Sequence, residues 1–334
     1  MMLFNPKVKF VLKTSVGLGL VAWVLHGKMV DFSLLRNLIL NPLNLLVAFV
    51  FLATSTLLCT ARWLILVRGQ GLQLSFRDLF SLTMIGNFFN TFMPGSVGGD
   101  LIKAWYIAGK EPNKRTKAVF TVLLDRVLGL SVIIFYAAFT LLLFSHWLNG
   151  HPELKVIAIC LWSFTLLSFL VGPFFFFSAG FKTRFTKKGT EYLRRSEKLS
   201  KILDATMLYR NQPRKILMAI LLSALSILAS IYFHSLQGQL LGAPLSLIQY
   251  FVVVPLAITA SAVPLLPGGI GTGQVAFFTL FKWMGINNPE LGGTLCTLIQ
   301  IYNILFNCLG YFFYLHFKRL PSAKPAKKNM LFCH

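Results

Sequence analysis

The chain has 334 residues, of which 56% are hydrophobic and 13% are charged, and its formal net charge is +22. Soluble globular domains carry about a quarter charged residues, so this composition excludes a soluble catalytic domain and predicts an all-α polytopic membrane protein. Nucleic-acid binding, the other interpretation of a basic chain, is disfavoured because positive charge beside apolar spans is typical of cytoplasmic membrane loops.

Apolar segments near the length of a membrane span follow one another along the chain. A crossing helix needs about 20 residues, and suitable segments lie at 10–25, 43–66, 118–145, 156–178, 216–237 and 291–317. Lys7, Lys9 and Lys13 lie before and at the start of the first segment, as in a signal peptide, but no small-x-small cleavage site follows it. An uncleaved first span is therefore predicted. Between the first two spans, the stretch from Asp31 to Leu40 predicts a short interfacial helix that ends at Asn41-Pro42.

Two further apolar segments, 79–97 and 251–285, are each broken by a proline-glycine run. The runs are Pro94-Gly95-Ser96-Val97-Gly98-Gly99-Asp100 and Pro267-Gly268-Gly269-Ile270-Gly271-Thr272-Gly273-Gln274. A shift of 173 residues places one run on the other without a gap and also pairs Gly69 with Gly242. Broken segments at corresponding places in two halves of a chain are typical of a transporter's binding site.

Loop charges orient these segments, because cytoplasmic loops are enriched in Lys and Arg. Basic residues flank both ends of segment 79–97, which should therefore enter from the cytoplasm and turn back. Segment 251–285 starts and ends on the external side by the same counting. The prediction is an inverted repeat with three spans and one re-entrant hairpin per half, so six spans plus two hairpins, with eight full spans as the alternative.

The predicted repeats occupy 1–150 and 151–320, and a basic cytoplasmic tail occupies 321–334. Both termini are then cytoplasmic. Loop 182–215 carries eleven Lys and Arg residues and should attract anionic lipid headgroups.

Broken backbone at membrane depth predicts a water-filled cavity, where its polar groups are satisfied. A helix that begins at Gly99-Asp100 would aim free N–H groups and its positive dipole end into this cavity, which favours an anion such as phosphate. Asp100 is equally suited to capping its own helix. In the second hairpin the uncharged Gln274 takes the place of Asp100.

Asp125 and Arg126 lie about 12 Å along the helix that follows the first hairpin. Ionised groups at this depth face the protein interior or an aqueous path, and one of the two is expected to reach the hairpin. The alternative is an ion pair that only locks the hairpin to this helix. Arg62 either extends to the interface or lines the site. His234 and Gln237 are interpreted as interface residues.

The full predicted substrate-binding set combines these positions with their polar and glycine neighbours. It comprises Arg62, Asn87, Asn90, Gly98, Gly99, Asp100, Lys103, Asp125, Arg126, Gly269, Gly271 and Gln274. The sequence contains no GxSxG, HExxH or Walker lysine motif, so no catalytic residue, metal or cofactor is predicted.

These motifs resemble a known family, the lysylphosphatidylglycerol synthase transmembrane family. The resemblance covers about Lys7 to Phe317 and implies a flippase-like protein of the bacterial inner membrane, here without the fused aminoacyltransferase domain. One departure is Gly273-Gln274, where many members have Arg-Glu. The motifs are Asn90-x-x-x-Pro94-Gly95-x-x-Gly98-Gly99-Asp100-x-x-Lys103-Ala104, Leu124-Asp125-Arg126-x-x-Gly129 and Pro267-Gly268-Gly269-Ile270-Gly271, preceded by Arg62-Trp63.

The sequence therefore predicts a lipid flippase-like transporter, not an enzyme, that handles a phospholipid or lipid-linked headgroup. Two alternatives stay open. One is an enzyme or accessory of glycolipid or aminoacyl-lipid synthesis, with a membrane-bound transferase as its partner. The other is a small-solute or ion transporter on the same scaffold.

Overall fold

The computed structural model describes residues 32–92, 98–145, 150, 152–177, 205–209, 212–261 and 269–317. Within these ranges all regular structure is helical, as the composition predicts. The predicted span at 10–25, most of loop 182–215 and the basic tail lie outside the described residues. In chain order the helices are α1 Phe32–Leu40, α2 Pro42–Gly69, α3 Phe76–Phe92, α4 Gly98–Lys110, α5 Arg115–Leu143, α6 Pro152–Phe177, α7 Pro213–Leu240, α8 Leu247–Ser261, α9 Thr272–Trp283 and α10 Glu290–His316.

Four of the described helices, α2, α5, α7 and α10, are long and apolar enough to cross a membrane. They have 27 to 29 residues, which corresponds to about 40 Å and exceeds the ~30 Å hydrocarbon core of a bilayer. The apolar helix α6 has 26 residues. These helices confirm a polytopic membrane protein.

The short helix α1 ends at Leu40, as predicted, and the chain turns directly into α2. The turn is stabilised by Asn41, whose side-chain oxygen accepts hydrogen bonds from the backbone N–H groups of Leu43 and Asn44 at 3.0 and 3.2 Å. Pro42 occupies the first turn of α2, where its missing N–H leaves no bond unmade.

Helices α2 and α7 pack antiparallel to each other. Asn44, near the start of α2, donates a 3.2 Å hydrogen bond to Gln237, near the end of α7. Further along, the hydroxyl oxygens of Ser55 on α2 and Ser226 on α7 lie 3.1 Å apart. Residue numbers rise along one helix as they fall along the other, and the two serines are 171 residues apart in the chain.

The same 171-residue shift relates the turns that follow α2 and α7. Gly71 and Gly242 have positive φ angles of 68° and 76°, and the same pattern of backbone hydrogen bonds surrounds each. Ser75 and Ser246 then cap α3 and α8 in the same way. The gapless 173-residue match with Gly69 is therefore wrong at this turn, because the glycine that needs positive φ is Gly71. The 173-residue shift fits the proline-glycine runs. The second half therefore has additional residues, relative to the first, between this turn and its proline-glycine run.

These contacts fix the relation between the two halves of the protein. Ser55 and Ser226 are equivalent residues that touch each other, so a pseudo-two-fold axis passes between them. Equivalent helices that run antiparallel require this axis to lie perpendicular to them. Because the long helices cross the membrane, the axis lies in the membrane plane, and the second half is inverted relative to the first. These contacts agree with the predicted inverted repeat.

Helices α3 and α4 form the first hairpin. Asp78 at the start of α3 pairs with Lys110 at the end of α4, while Asn90 near the end of α3 contacts Gly99 near the start of α4. The two helices have 17 and 13 residues, or about 25 and 20 Å. They are too short to cross alone, and their outer ends meet on one side. Helices α8 and α9 form the second hairpin in the same manner.

Helix α10 shows that the two hairpins enter from opposite ends. From its start to its end it contacts the base of the second hairpin, the tip of that hairpin, the tip of the first hairpin and the base of the first. The α10 residues that make these contacts are Gly292, Gln300, Asn307 and Phe313. Gln300 and Asn307 are seven residues apart, about 10 Å along the helix, so the described residues beside the two breaks contact the middle part of α10.

Candidate functional site

A buried ion pair joins three helices beside the first hairpin. Arg62 on α2 contacts Asp125 on α5 in a bidentate manner, with Nε–Oδ1 at 2.7 Å and Nη2–Oδ2 at 3.1 Å. Its remaining Nη1 donates to the hydroxyl of Ser223 on α7 at 2.9 Å. The Arg62 and Asp125 side chains are 10% and 14% exposed. Arg62 therefore does not extend to the interface, because its partner lies inside the protein.

The neighbouring residue, Arg126, turns to the first hairpin. Its Nε lies 2.5 Å from the carboxylate of Asp100 in the first turn of α4. Adjacent residues on a helix point about 100° apart, so Asp125 and Arg126 serve different partners, as expected. The Asp100 side chain is largely buried, whereas that of Arg126 is 46% exposed. Arg126 thus links α5 to the hairpin while its outer N–H groups stay accessible.

Lys103, one helical turn beyond Asp100, supplies a third cation. The residue is only 8% exposed, and its stem packs on Gly86, where a side chain would collide with it. Its Nζ lies 5.5 Å from the centre of the Trp63 ring, within the range of a cation–π contact. Within the described part of the chain, Lys103 forms no salt bridge.

This set of residues is called the cationic cluster below. It contains three cations, Arg62, Lys103 and Arg126, and two carboxylates, Asp100 and Asp125, which leaves one positive charge in excess.

The tip of the first hairpin differs in one respect from the expectation. The backbone N–H of Gly99 is not free, because the side-chain oxygen of Asn90 accepts its hydrogen bond at 2.8 Å. Gly99 packs against the backbone of Gly86, and Gly98 begins α4. Asn87 is half-buried on α3. Asn90, rather than Asp100, therefore satisfies this part of the helix start.

The second hairpin repeats this arrangement without charge. Gln274 accepts a hydrogen bond from the Gly271 N–H at 2.8 Å and donates to Thr297 and Gln300 at 3.1 and 2.7 Å. The backbone of Gly269 and of Gly271 has positive φ, 68° and 83°. A shift of 174 residues relates Asp100 to Gln274 and Arg126 to Gln300, whereas 173 would align Asp100 with Gly273. An uncharged amide pair thus replaces the ion pair.

A family model covers these elements. The sequence model of the lysylphosphatidylglycerol synthase TM region matches residues 10–310. The chain belongs to the lysylphosphatidylglycerol synthase TM region family. The match spans both hairpins and the whole cationic cluster.

Relatives of this family member are found among archaea. It is 23% identical to the UPF0104 membrane protein MJ1595 of Methanocaldococcus jannaschii over 301 residues, which cover 86% of this chain and 88% of the relative. It is 24% identical to the UPF0104 membrane protein PH1989 of Pyrococcus horikoshii, with 72% and 77% covered. It is 27% identical to a UPF0104 membrane protein of Methanothermobacter thermautotrophicus, with 74% and 77% covered. No solved structure matches the chain.

In this lysylphosphatidylglycerol synthase TM region protein, two predicted interface residues are buried. Gln237 contacts Asn44, which also donates to the Tyr302 hydroxyl at 2.8 Å. The ring of His234 stacks on that of Phe277 with 5.6 Å between centroids. The interface interpretation is wrong because Asn44 on α2 and Phe277 on α9 pack against these two side chains, which are 0% and 5% exposed.

The predicted residues fall into two groups at opposite hairpin tips, one with the cationic cluster and one around Gln274. Two contributors to the cluster were not predicted, Ser223 and Trp63. Ser223 carries little signal because a serine in an apolar span is common, and Trp63 contacts the cluster only through the packing of α2 on α4.

Proposed function

We propose that this protein is a flippase-like lipid transporter that receives the anionic headgroup of a phospholipid or lipid-linked substrate at the cationic cluster. The observation that carries the proposal is the excess positive charge inside the membrane. Buried cations are costly in lipid unless a counter-charge is present. A phosphate beside Lys103 and Arg126 would provide that counter-charge.

The two side chains would bind a phosphate in different ways. Arg126 has a planar fork of N–H donors that fits two phosphate oxygens at once, and Asp100 holds this fork by its Nε. Lys103 acts as a point charge, held in position by Gly86 and the Trp63 ring. Two hairpins that reach the middle part of α10 from opposite ends support access to such a site from both leaflets.

The remaining assignments belong to the same proposal. Loop charges favour a cytoplasmic side for the cationic cluster, and both termini would be cytoplasmic. The membrane would be the bacterial inner membrane. Loop 182–215 would contact anionic lipid headgroups, and a membrane-bound transferase would supply a lipid-linked substrate. We assign the chain no catalytic step, no cofactor and no nucleic-acid partner.

The proposal is tested by phospholipid exchange between leaflets of proteoliposomes, with fluorescent phosphatidylglycerol as the probe. Lys103→Met and Arg126→Ala should each slow exchange by about tenfold or more, which corresponds to about 1.4 kcal/mol in the barrier. Asp100→Asn should slow it less, because it only positions Arg126. Lys282→Met, on the exposed surface of α9, is the matched control and should leave the rate unchanged. Equal rates for all variants would overturn the proposal.

A further inference from the structure

A cavity of about 250 Å³ lies on the other side of the pseudo-two-fold axis. This volume equals that of about eight water molecules at ~30 Å³ each. Residues of α2, α7, α8, α9 and α10 line this partly open cavity, and its wall combines aromatic rings with hydrogen-bonding side chains. The polar lining residues include Ser55, Ser230, His234, Ser261, Gln300 and Asn303.

The repeat shows which part of the cationic cluster this cavity replaces. The 171-residue shift relates Arg62 to Phe233 and Leu52 to Ser223, and the 174-residue shift relates Asp125 to Ile299. Phe233, Leu52 and Ile299 all line the cavity. The cavity therefore occupies the place where the first half holds its buried ion pair.

The cavity is polar without being charged. No Asp, Glu, Lys or Arg is present among the described residues that line it. The Gln274–Gln300 pair lies beside the cavity. The second half of the protein therefore offers hydrogen bonds at the places where the first half has charged groups. A charged group is disfavoured in such a site because no counter-charge offsets its loss of water.

His234 presents an unused hydrogen-bonding atom in this cavity. The residue is 5% exposed, and its Nδ1 lies 2.7 Å from the Ser230 backbone oxygen, so Nδ1 carries the proton in this contact. In a neutral imidazole the other nitrogen, Nε2, is then an acceptor. No hydrogen bond joins Nε2 to any residue in the described ranges. The side-chain nitrogen of Asn303 donates a hydrogen bond to the Ile299 carbonyl at 2.8 Å. The side-chain oxygen of Asn303 is then available as a second acceptor.

We propose that this cavity binds an uncharged, hydroxyl-bearing group of glycerol to single-sugar size. Hydroxyl groups donate to acceptors such as Nε2 of His234 and accept from serine hydroxyls, while the rings of Phe51, Phe233 and Phe277 supply the apolar wall that ligand sites have. The inference rests on the proposed function, since the same lipid would place its phosphate at the cationic cluster. Ser55 and Arg62 are seven residues apart on α2, about 10 Å, a distance within one lipid headgroup.

The test measures lipid binding to the purified full chain in nanodiscs of phosphatidylcholine. The probes are radiolabelled monoglucosyldiacylglycerol, diacylglycerol and phosphatidic acid. The wild type should bind the glucosyl lipid about tenfold more tightly than diacylglycerol. His234→Phe, which retains a ring to stack on Phe277, should abolish this preference and leave phosphatidic acid binding unchanged. Lys103→Met should weaken phosphatidic acid binding and leave the preference for the glucosyl lipid.

Asn303→Leu, similar in volume to the native residue, provides a second test of the cavity. It should also reduce the preference, so the proposal does not depend on His234→Phe folding well. Equal affinity of the wild type for the glucosyl lipid and diacylglycerol overturns the proposal, as does a preference that survives in both folded variants. Displacement of the glucosyl lipid by methyl glucoside would support a free sugar as the ligand, and resistance to displacement would support a lipid-attached one.

Failure of this inference and failure of the proposed function have different signatures. A preference for the glucosyl lipid without any phospholipid exchange in proteoliposomes would refute the transport function and leave the cavity assignment standing. Exchange that depends on Lys103 together with no glucosyl preference would refute the cavity assignment alone.

Discussion

The Arg62–Asp125 pair gives the sharpest stability prediction. Asp125→Asn removes the carboxylate from two charge-assisted hydrogen bonds, each of which contributes about 1.5–3 kcal/mol. The guanidinium of Arg62 is 10% exposed, so water does not replace the lost partner. The expected loss is therefore about 3–5 kcal/mol, the range for breaking a buried ion pair. The half-buried pair between Lys110 and Asp78, whose side chains are 21% and 35% exposed, is better solvated and should contribute about 1 kcal/mol or less.

The measurement is equilibrium unfolding in mixed dodecylmaltoside and SDS micelles, followed by the loss of helical circular dichroism. Asp125→Asn and Arg62→Met should each lower the free energy of unfolding by the amount given above. The double variant Arg62→Met/Asp125→Leu should be more stable than either single variant, because it leaves no unpaired buried charge. Asp78→Asn is the matched control at a paired carboxylate that is more exposed, at 35%.

One result would refute the reasoning. If Asp125→Asn and Asp78→Asn lower the free energy of unfolding equally, by about 1 kcal/mol or less, the Arg62–Asp125 pair is solvated in the membrane protein. The excess charge of the cationic cluster would then be screened by water, and the argument for an anionic ligand would lose its basis.

Two further predictions concern the first hairpin. Gly99→Ala should destabilise the protein by about 1–3 kcal/mol, because a Cβ at this position would collide with the backbone oxygen of Gly86. Gly129→Ala, whose Cβ would meet only the side-chain end of Arg62 at 3.2 Å, is the milder comparison in the same unfolding assay, and equal losses would contradict the packing argument. Burial raises the pKa of Asp78, but hydrogen bonds from Lys110 and Ser75 outweigh it and hold that pKa below its usual 3.8. The contribution of Asp78 to stability is therefore present above about pH 4 and lost as the pH falls further. The difference in melting temperature between wild type and Asp78→Asn should therefore disappear in acid. A difference that persists in acid would refute the role of the Asp78 carboxylate.

Much of the fold is readable from the sequence because its signals are compositional. The proline-glycine runs break apolar segments, and basic residues flank both ends of the first one. The side predicted for the second hairpin follows from counting the spans between the charged loops. The exact register between the halves is not readable in this way. A gapless match favours Gly69, whereas the backbone requires a positive φ at Gly71, and φ is a property of the folded chain.

The site was predictable in part for the same reason. Depth along a helix identifies Asp125 and Arg126, and their divergence follows from helix geometry. Their partners follow only from packing, since Arg62 comes from a helix 63 residues earlier. The cavity has no sequence signature because five helices contribute to its wall. His234 and Gln237 were misplaced because the residues that bury them, Phe277 and Asn44, come from other helices and are brought there only by packing.

The contact between Ser55 and Ser226 bears on how the protein would change its shape. Points on a two-fold axis keep their positions when the two halves exchange conformations, and other points move to the places of their equivalents. An exchange of this kind would preserve the serine contact as a pivot. It would open the region around Arg62 to the shape now found around Phe233, and close the cavity. The two states of such a rocking motion would thus be related by the pseudo-two-fold axis. In the state described here, the Arg62–Asp125 pair would close one side while the cavity is open on the other.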